Sequence, residues 1–232
     1  MEAEKSILER IVEKRRQDIA QKGWTLGESV PEKRRRPSPL PFIAEKGAVL
    51  EIKRASPSKG DIAPGLDAGD TAREYVTAGA AAISVLTECH WFKGALSDLQ
   101  AAAAAADQAA DAAGRPRAAI LRKDFLLAPE EVDIAYRCGA DAVLLIARIL
   151  ESGLLSAMVA RCKKLGMTAF IELRQKDDLD KLAKAVEASG REKIVCGVNA
   201  RDLADFSIDL LKPAMLLKEI RSLLGPEARV VF

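Results

Sequence analysis

The sequence predicts an α/β fold, a parallel (β/α)8 barrel, and three features of the chain lead to this prediction. Short apolar runs alternate with longer helical patterns along most of the 232 residues. Three helical patterns end in a glycine followed by a strand-like run, at Gly79, Gly139 and Gly166, where a left-handed residue commonly ends a helix. The units repeat at roughly 25 to 35 residues, about the length of a right-handed βαβ crossover.

Seven apolar runs are predicted as strands and six patterns between them as helices. The strands are 48–52, 81–86, 118–121, 142–146, 168–171, 193–198 and 228–232. The helices are 70–78, 96–113, 129–138, 151–165, 177–189 and 213–224. Near-continuous apolar strands indicate a parallel sheet that is covered on both faces. Neither G-x-G-x-x-G nor a P-loop follows a strand, which disfavours a doubly wound nucleotide-binding sheet.

An additional amphipathic helix is predicted before the barrel, at residues 4–21. Its apolar stripe consists of Ile7, Leu8, Ile11, Val12 and Ile19. We expect a single domain over residues 1–232, with residues 1–41 as a helix and linker over the barrel mouth. The linker contains a basic run at residues 33–36 between two prolines and without aromatic residues. That pattern predicts a solvated linker and not a nucleic-acid site.

Composition excludes several classes of function. The net charge of +2 gives no global field for nucleic acid or a membrane surface, and no apolar run is long enough to span a bilayer. Four scattered cysteines without a C-x-x-C pair fit small buried thiols in a reducing cytoplasm. His90 is the only histidine, so we expect no metal site, no cofactor and no Ser-His-Asp triad.

Polar side chains close nearly every predicted strand. They are Glu51 and Lys53, Thr87 and Glu88, residues 122–125, Arg148, Glu172, and residues 199–202. One such ending is usually a solvated ion pair, but a barrel gathers the carboxyl ends of all its strands into one active-site cavity. We therefore expect Lys53, Lys123, Arg201, Glu51, Glu172 and Asn199 to meet there. Such a cluster suits proton transfer on an anionic substrate, with lysine as acid and glutamate as base.

Phe92 and Phe125 lie in the predicted loops after the second and third strands. Each could simply pack in the core. Two phenylalanines beside a charged cluster could instead form the wall of a pocket for an aromatic ring. The sequence alone leaves both interpretations open.

Five segments together resemble the indole-3-glycerol-phosphate synthase family of tryptophan biosynthesis. They are residues 51–60 (EIKRASPSKG), 83–88 (ISVLTE), 121–125 (LRKDF), 139–146 (GADAVLLI) and 197–203 (GVNARDL). The resemblance implies a (β/α)8 barrel with an extra N-terminal helix over its mouth. It also implies a cofactor-independent lyase that closes 1-(2-carboxyphenylamino)-1-deoxyribulose 5-phosphate to indole-3-glycerol phosphate, with loss of CO2 and water.

The resemblance also implies roles for individual residues. Lys123 matches the acid that protonates the sugar carbonyl, and Glu172 matches the base of the later dehydration. Lys53 matches a second lysine that contacts the substrate, and which lysine acts at which step stays open. Glu51 and Asn199 match groups that hold these side chains in place. The substrate-pocket positions that match are Ser56, Phe92, Phe125, Leu144 and Arg201.

The sequence departs from the family pattern at its end. Family members continue after the seventh strand with Glu-Ser-Gly-Ile, a helix, an eighth strand and a second glycine-rich turn, and these turns bind the substrate phosphate. The sequence stops at Phe232. We therefore expect a barrel that ends at strand 7 with two open edges. Three explanations stay open: the sequence is incomplete, the chain needs a partner fragment, or it is an inactive copy. We expect little turnover from this chain alone, whereas a complete barrel would be a cytoplasmic monomer.

Two other functions compete with this interpretation. Phosphoribosylanthranilate isomerase is also a phosphate-binding barrel, but it uses a Cys/Asp pair, and no cysteine ends a predicted strand here. A non-catalytic partner or scaffold would use the barrel and the basic N-terminal segment. The set of Lys53, Lys123, Glu172 and Asn199 argues for the enzyme.

Overall fold

The computed structural model describes residues 5–43, 47–199 and 211–231. The strands are β1 (Val49–Ile52), β2 (Ala55–Ser56), β3 (Gly60–Asp61), β4 (Ala82–Leu86), β5 (Ala119–Lys123), β6 (Ala142–Ile146), β7 (Thr168–Leu173), β8 (Ile194–Val198) and β9 (Val230–Val231). The helices are α1 (Ile7–Lys22), α2 (Ala68–Thr77), α3 (Leu96–Ala112), α4 (Pro129–Arg137), α5 (Ser152–Lys164), α6 (Lys176–Ser189) and α7 (Leu211–Leu224), with a 3-10 turn at Ala147–Ile149.

Seven strands form one sheet in the order β1-β4-β5-β6-β7-β8-β9, and every pair in it is parallel. The order follows the chain, so the sheet has no point at which its strand order reverses. A doubly wound sheet needs such a reversal. The curled, singly wound sheet with helices between its strands confirms the predicted TIM-barrel type of fold.

Glycine ends helices where the sequence predicts it. Gly79, Gly139 and Gly166 have φ of +86°, +100° and +74°, a backbone region in which most other residues are strained. Each glycine turns the chain back toward the next parallel strand. These three positions therefore account for the repeat that the sequence displays.

Strand boundaries differ from the prediction at two places that matter for the site. β5 and β7 continue two residues further than predicted and include Arg122, Lys123 and Glu172. Apolar patterning ends too early there because the last strand residues alternate between the core and a polar cavity. The predicted loop after β1 is instead a short antiparallel hairpin of β2 and β3, with Ser56 paired with Gly60.

The inward-facing residues near the strand starts are small, and a linker side chain fills the space they leave. Ala82, Ala119 and Ala142 surround Phe42, which is 2% exposed. The Phe42 ring lies 5.6 Å from that of Phe170, and its backbone N–H donates to Thr168 Oγ1 at 3.2 Å. The linker thus leaves the barrel mouth and closes the opposite end of the barrel.

The prediction of a solvated basic run at residues 33–36 is wrong for two of its arginines. The Arg34 and Arg36 side chains are 3% and 7% exposed, and both bind the fully buried carboxylate of Asp141, at 2.6 and 2.8 Å. Arg36 also contacts Asp107 at 2.7 Å. Charge density along the chain cannot reveal these partners, which come from elements far away in sequence.

Helix α1 begins at a capping box formed by Ser6 and Glu9. Its stripe of Leu8, Ile11 and Val12 packs against residues that follow or end β5 and β6. The helix therefore lies over the carboxyl ends of these strands. None of the helices in the described ranges is long and apolar enough to cross a membrane.

Candidate active site

The carboxylate of Glu51 joins both predicted catalytic lysines at the carboxyl end of the sheet. Its Oε1 lies 2.6 Å from Lys53 Nζ, and its Oε2 lies 2.6 Å from Lys123 Nζ. Glu51 and Lys53 point to the same side because they are two residues apart along an extended segment. Lys123 ends β5, which is separated from β1 only by β4. All three side chains are between 26% and 36% exposed, so solutes can reach the cluster.

Glu172 lies on β7 and is half-buried. It is paired across the sheet with Ile146 and Gly197. Gly197 provides no side chain, and a Cβ atom there would meet the Phe170 ring at 2.7 Å. Asn199 follows β8, and its Nδ2 lies 3.5 Å from Glu172 Oε1. The charge of Lys123 acts on Glu172 as well, so the two carboxylates share one electrostatic environment.

The two carboxylates differ in acidity. Burial by itself raises the pKa of Glu51, but the charges and hydrogen bonds of Lys123 and Lys53 outweigh it and lower this pKa. Burial raises the pKa of Glu172, and the charge of Lys123 and the amide of Asn199 only partly oppose it. Glu51 is therefore a fixed anion, whereas Glu172 can take up a proton at higher pH. Such a separation commonly distinguishes a holding carboxylate from a reacting one.

An apolar cluster borders this charged group. The rings of Phe92 and Phe125 are 6.0 Å apart, and Leu144 is 3% exposed. All three belong to the same cluster as the apolar stripe of α1. Phe92 and Phe125 therefore pack under α1, as the core interpretation predicts, and their role as walls of a pocket stays a prediction.

The two remaining predicted pocket residues, Ser56 and Arg201, are not part of this apolar cluster. Ser56 is partly exposed on β2, and its Oγ accepts from the Lys59 backbone N–H at 3.3 Å. The β2–β3 hairpin follows β1 directly and thus borders the mouth. Arg201 lies outside the described residues.

Behind Lys123 lies a buried polar network that the sequence analysis did not predict. Asp124 pairs with Arg15 of α1, and it accepts hydrogen bonds from Thr87 Oγ1 at 2.5 Å and from Arg122 Nη2 at 3.0 Å. Arg122 also donates to the backbone carbonyl of Glu131 at 3.0 Å. One signal could have revealed it, because Arg15 follows Ile11 and Val12 at helical spacing and is a cation on the apolar face.

Known proteins similar to this chain agree on one family. A sequence model of indole-3-glycerol phosphate synthase matches residues 8–229. The indole-3-glycerol phosphate synthase of Desulfosudis oleivorans is 41% identical over 181 residues, which are 78% of this chain and 61% of that protein. That of Syntrophobacter fumaroxidans is 34% identical over 92% of this chain and 78% of the relative. The indole-3-glycerol phosphate synthase of Mycolicibacterium vanbaalenii is 36% identical over 88% of this chain and 72% of that protein. The chain thus spans 61% to 78% of the lengths of these three relatives.

Solved structures support the fold. The HpcH/HpaI aldolase from Desulfitobacterium hafniense superposes with a TM-score of 0.53 at 10% identity, over 77% of this chain and 72% of that one. The YdjI aldolase from Escherichia coli K12 superposes with a TM-score of 0.50 at 14% identity, over 78% of this chain and 63% of that one. At these identities the likeness concerns architecture alone.

Proposed function

The chain belongs to the indole-3-glycerol phosphate synthase family, and we propose that it catalyses the reaction for which the family is named. The reaction closes 1-(2-carboxyphenylamino)-1-deoxyribulose 5-phosphate to indole-3-glycerol phosphate and releases CO2 and water. The observation that carries the proposal is the contact of the Glu51 carboxylate with both Lys53 and Lys123, with the half-buried carboxyl of Glu172 under the charge of Lys123. A carbon–carbon lyase of this kind requires an acid and a base but no redox centre.

We assign the first proton transfer to Lys123. Its ammonium donates a proton to the ketone oxygen of the substrate while a ring carbon attacks the carbonyl carbon. The bond to Glu51 fixes the position of this ammonium, and a positioned acid contributes about 10² to 10⁴-fold to such a step. Lys53 shares the same carboxylate and is proposed to contact the substrate.

The later steps need a base. Loss of CO2 restores the aromatic ring, and loss of the hydroxyl as water then completes the indole. We assign removal of the proton in this dehydration to Glu172, whose burial makes it a stronger base than an exposed glutamate. Asn199 is proposed to orient its carboxylate through the contact to Oε1.

Substrate binding is proposed to divide between an apolar and a polar region. Phe92, Phe125 and Leu144 would contact the aromatic ring. Ser56 and Arg201 would contact polar groups of the phosphorylated substrate. The proposed setting is a monomer in the cytoplasm.

The test is direct product formation by the protein as its gene encodes it. We expect incubation with the substrate to produce indole absorbance and fluorescence, with one CO2 released for each indole formed. A non-catalytic partner would give neither signal, and that outcome would contradict the proposal.

A further inference from the structure

Three side chains with metal-binding atoms meet beside the mouth, outside the proposed catalytic group. Asp18 comes from α1, and Cys89 and His90 come from the loop after β4. Their ligand atoms all lie within 4.8 Å of one another. The sequence predicts no metal site, because it contains a single histidine. Helix α1 brings the third ligand from about seventy positions away.

The loop that carries two of these ligands is held in one conformation. Glu88 is 4% exposed, and its carboxylate accepts hydrogen bonds from three successive backbone N–H groups. His90 donates to its Oε1 at 2.9 Å, while Trp91 and Phe92 donate to its Oε2 at 2.7 and 3.0 Å. The adjacent ligands are therefore placed by the backbone before any ion binds.

The third ligand is hydrogen-bonded to the imidazole, so the two side chains must separate slightly to hold an ion between them. The Asp18 side chain is 3% exposed, and its Oδ2 lies 2.6 Å from His90 Nε2. Cys89 is exposed, which corrects the expectation that all four thiols are buried; Cys138, Cys162 and Cys196 are buried as expected. An exposed thiol, an imidazole and a buried carboxylate on two elements form an accessible site with a rigid base.

We propose that Asp18, Cys89 and His90 bind a divalent transition-metal ion of the zinc type, with water in the fourth position. A thiolate together with an imidazole selects such ions over Mg²⁺ or Ca²⁺, which prefer all-oxygen sites. Three protein ligands with one open position are a common zinc arrangement. The ion would tie α1 to the loop that carries Phe92 and would stiffen the mouth. It takes no part in the proposed ring closure.

Two lysines compete with the ion for Asp18. Lys14 Nζ lies 2.7 Å and Lys22 Nζ lies 3.8 Å from Asp18 Oδ1. Their side chains are 35% and 48% exposed, so both can turn into solvent when an ion binds. This competition predicts a site of moderate affinity that strengthens when Lys14 loses its charge.

The experiment titrates chelator-treated protein with Zn²⁺ by calorimetry and with Co²⁺ by absorption spectroscopy. We expect one ion per chain and a thiolate-to-cobalt charge-transfer band. Cys89→Ser should remove that band, and Cys89→Ser and His90→Asn should each weaken Zn²⁺ binding at least about tenfold. Lys14→Gln should tighten it severalfold, whereas Glu187→Gln on the far helix α6 should leave it unchanged.

Each outcome decides the proposal. A wild-type protein without stoichiometric Zn²⁺ binding, or without the charge-transfer band, overturns it whether or not the variants fold. Binding that survives both ligand substitutions overturns it as well. Thermal melts without metal identify any variant that is misfolded. If the ligand variants are misfolded, tighter Zn²⁺ binding by Lys14→Gln remains the supporting result.

Discussion

At the scale of single residues, Glu51 is the side chain on which the charged cluster depends. Its two oxygens bind two ammonium groups at 2.6 Å each, and both bonds are charge-assisted. Such bonds are shorter and stronger than neutral ones. The carboxylate therefore fixes the distance between Lys53 and Lys123 as well as their orientation.

Replacing Glu51 with glutamine tests this role. The amide keeps the size of the side chain but loses its charge, and each charge-assisted bond contributes about 1.5 to 3 kcal/mol. We expect kcat to fall about 10- to 100-fold, since 1.36 kcal/mol corresponds to about a tenfold change in rate. Steady-state kinetics measure the effect, with Glu187→Gln as the control. Parental kcat in Glu51→Gln would contradict the assignment.

The acidity of Glu172 gives a second prediction, on pH. A proposed base must be ionised, and burial raises the pKa of Glu172 above its ordinary value of 4.5. We therefore expect kcat to decline on the acidic side at a pH above 4.5, as read from a pH–rate profile. A rate that stays level as the pH falls through 4.5 would remove Glu172 from the limiting proton transfer.

Linkage extends this prediction to stability. Because the pKa of Glu172 is raised in the folded protein, its protonated side chain favours the folded state. This contribution to the free energy of unfolding is full below the unfolded pKa and is lost as the pH rises through the folded pKa. Above its raised pKa, the ionised and half-buried side chain therefore costs stability. We expect Glu172→Gln to raise the free energy of unfolding at neutral pH while it removes activity. Urea denaturation at two pH values measures the difference.

Sequence patterns predicted the charged cluster better than the ion pairs that support the barrel. Glu51, Lys53 and Lys123 meet as expected because strand alternation and the barrel rule fix where they point. Arg34 and Arg36 did not signal their buried roles, because their partner Asp141 comes from a distant element. Burial of a charge is decided by a partner that local patterns do not contain.

At the scale of elements, α1 is attached to the barrel by a buried ion pair as well as by its apolar stripe. Arg15 is 4% exposed on its side chain and pairs with Asp124, which is fully buried. Asp124 follows Lys123 directly. The attachment of α1 and the position of the proposed acid therefore involve neighbouring residues of one segment.

Arg15→Ala should detach this contact. Removing one partner of a buried pair costs about 3 to 5 kcal/mol when the other charge is left alone, but Asp124 keeps its bond to Arg122. We therefore expect the free energy of unfolding in urea to fall by about 1.5 to 3 kcal/mol, the contribution of one charge-assisted hydrogen bond. Arg16→Ala, at an exposed position next to it, is the matched control and should change little. Equal stability of the two variants would contradict the role of the pair.

The contribution of Asp124 to stability changes with pH in the opposite direction to that of Glu172. Burial favours protonation of Asp124, but the charges of Arg15 and Arg122 outweigh it and hold the pKa of Asp124 well below its usual range. Its stabilising contribution is therefore present above the unfolded pKa and is lost as pH falls toward the folded pKa.

Helix patterns predicted elements more closely than strand patterns did. The helices α3 and α4 end within one residue of their predicted ends, because glycine and proline punctuate them. The hairpin of β2 and β3 was missed, since two-residue strands are too short for an alternating pattern. The ends of β5 and β7 were missed because charged side chains there face a cavity.

At the scale of the whole molecule, the sequence of strands along the chain is also their order in the sheet. The repeat of helix, glycine and strand predicted that order. It could not predict how the barrel ends are closed. The mouth is covered by α1, and Phe42 fills the opposite end between three alanines. Both closures come from the N-terminal segment, whereas the sequence predicted that all of residues 1–41 lie over the mouth.

The central claim is that turnover depends on Lys123 as the acid of ring closure and on Glu172 as the base of the later dehydration, both at the carboxyl end of one sheet. The most direct measurement is the steady-state turnover of Lys123→Ala and Glu172→Gln in the protein as its gene encodes it. Lys164→Ala and Glu187→Gln, at exposed positions on α5 and α6, are the matched controls. We predict a loss of about 10² to 10⁴-fold in kcat for each site variant and parental turnover for both controls. Folded site variants that keep parental turnover would contradict the account.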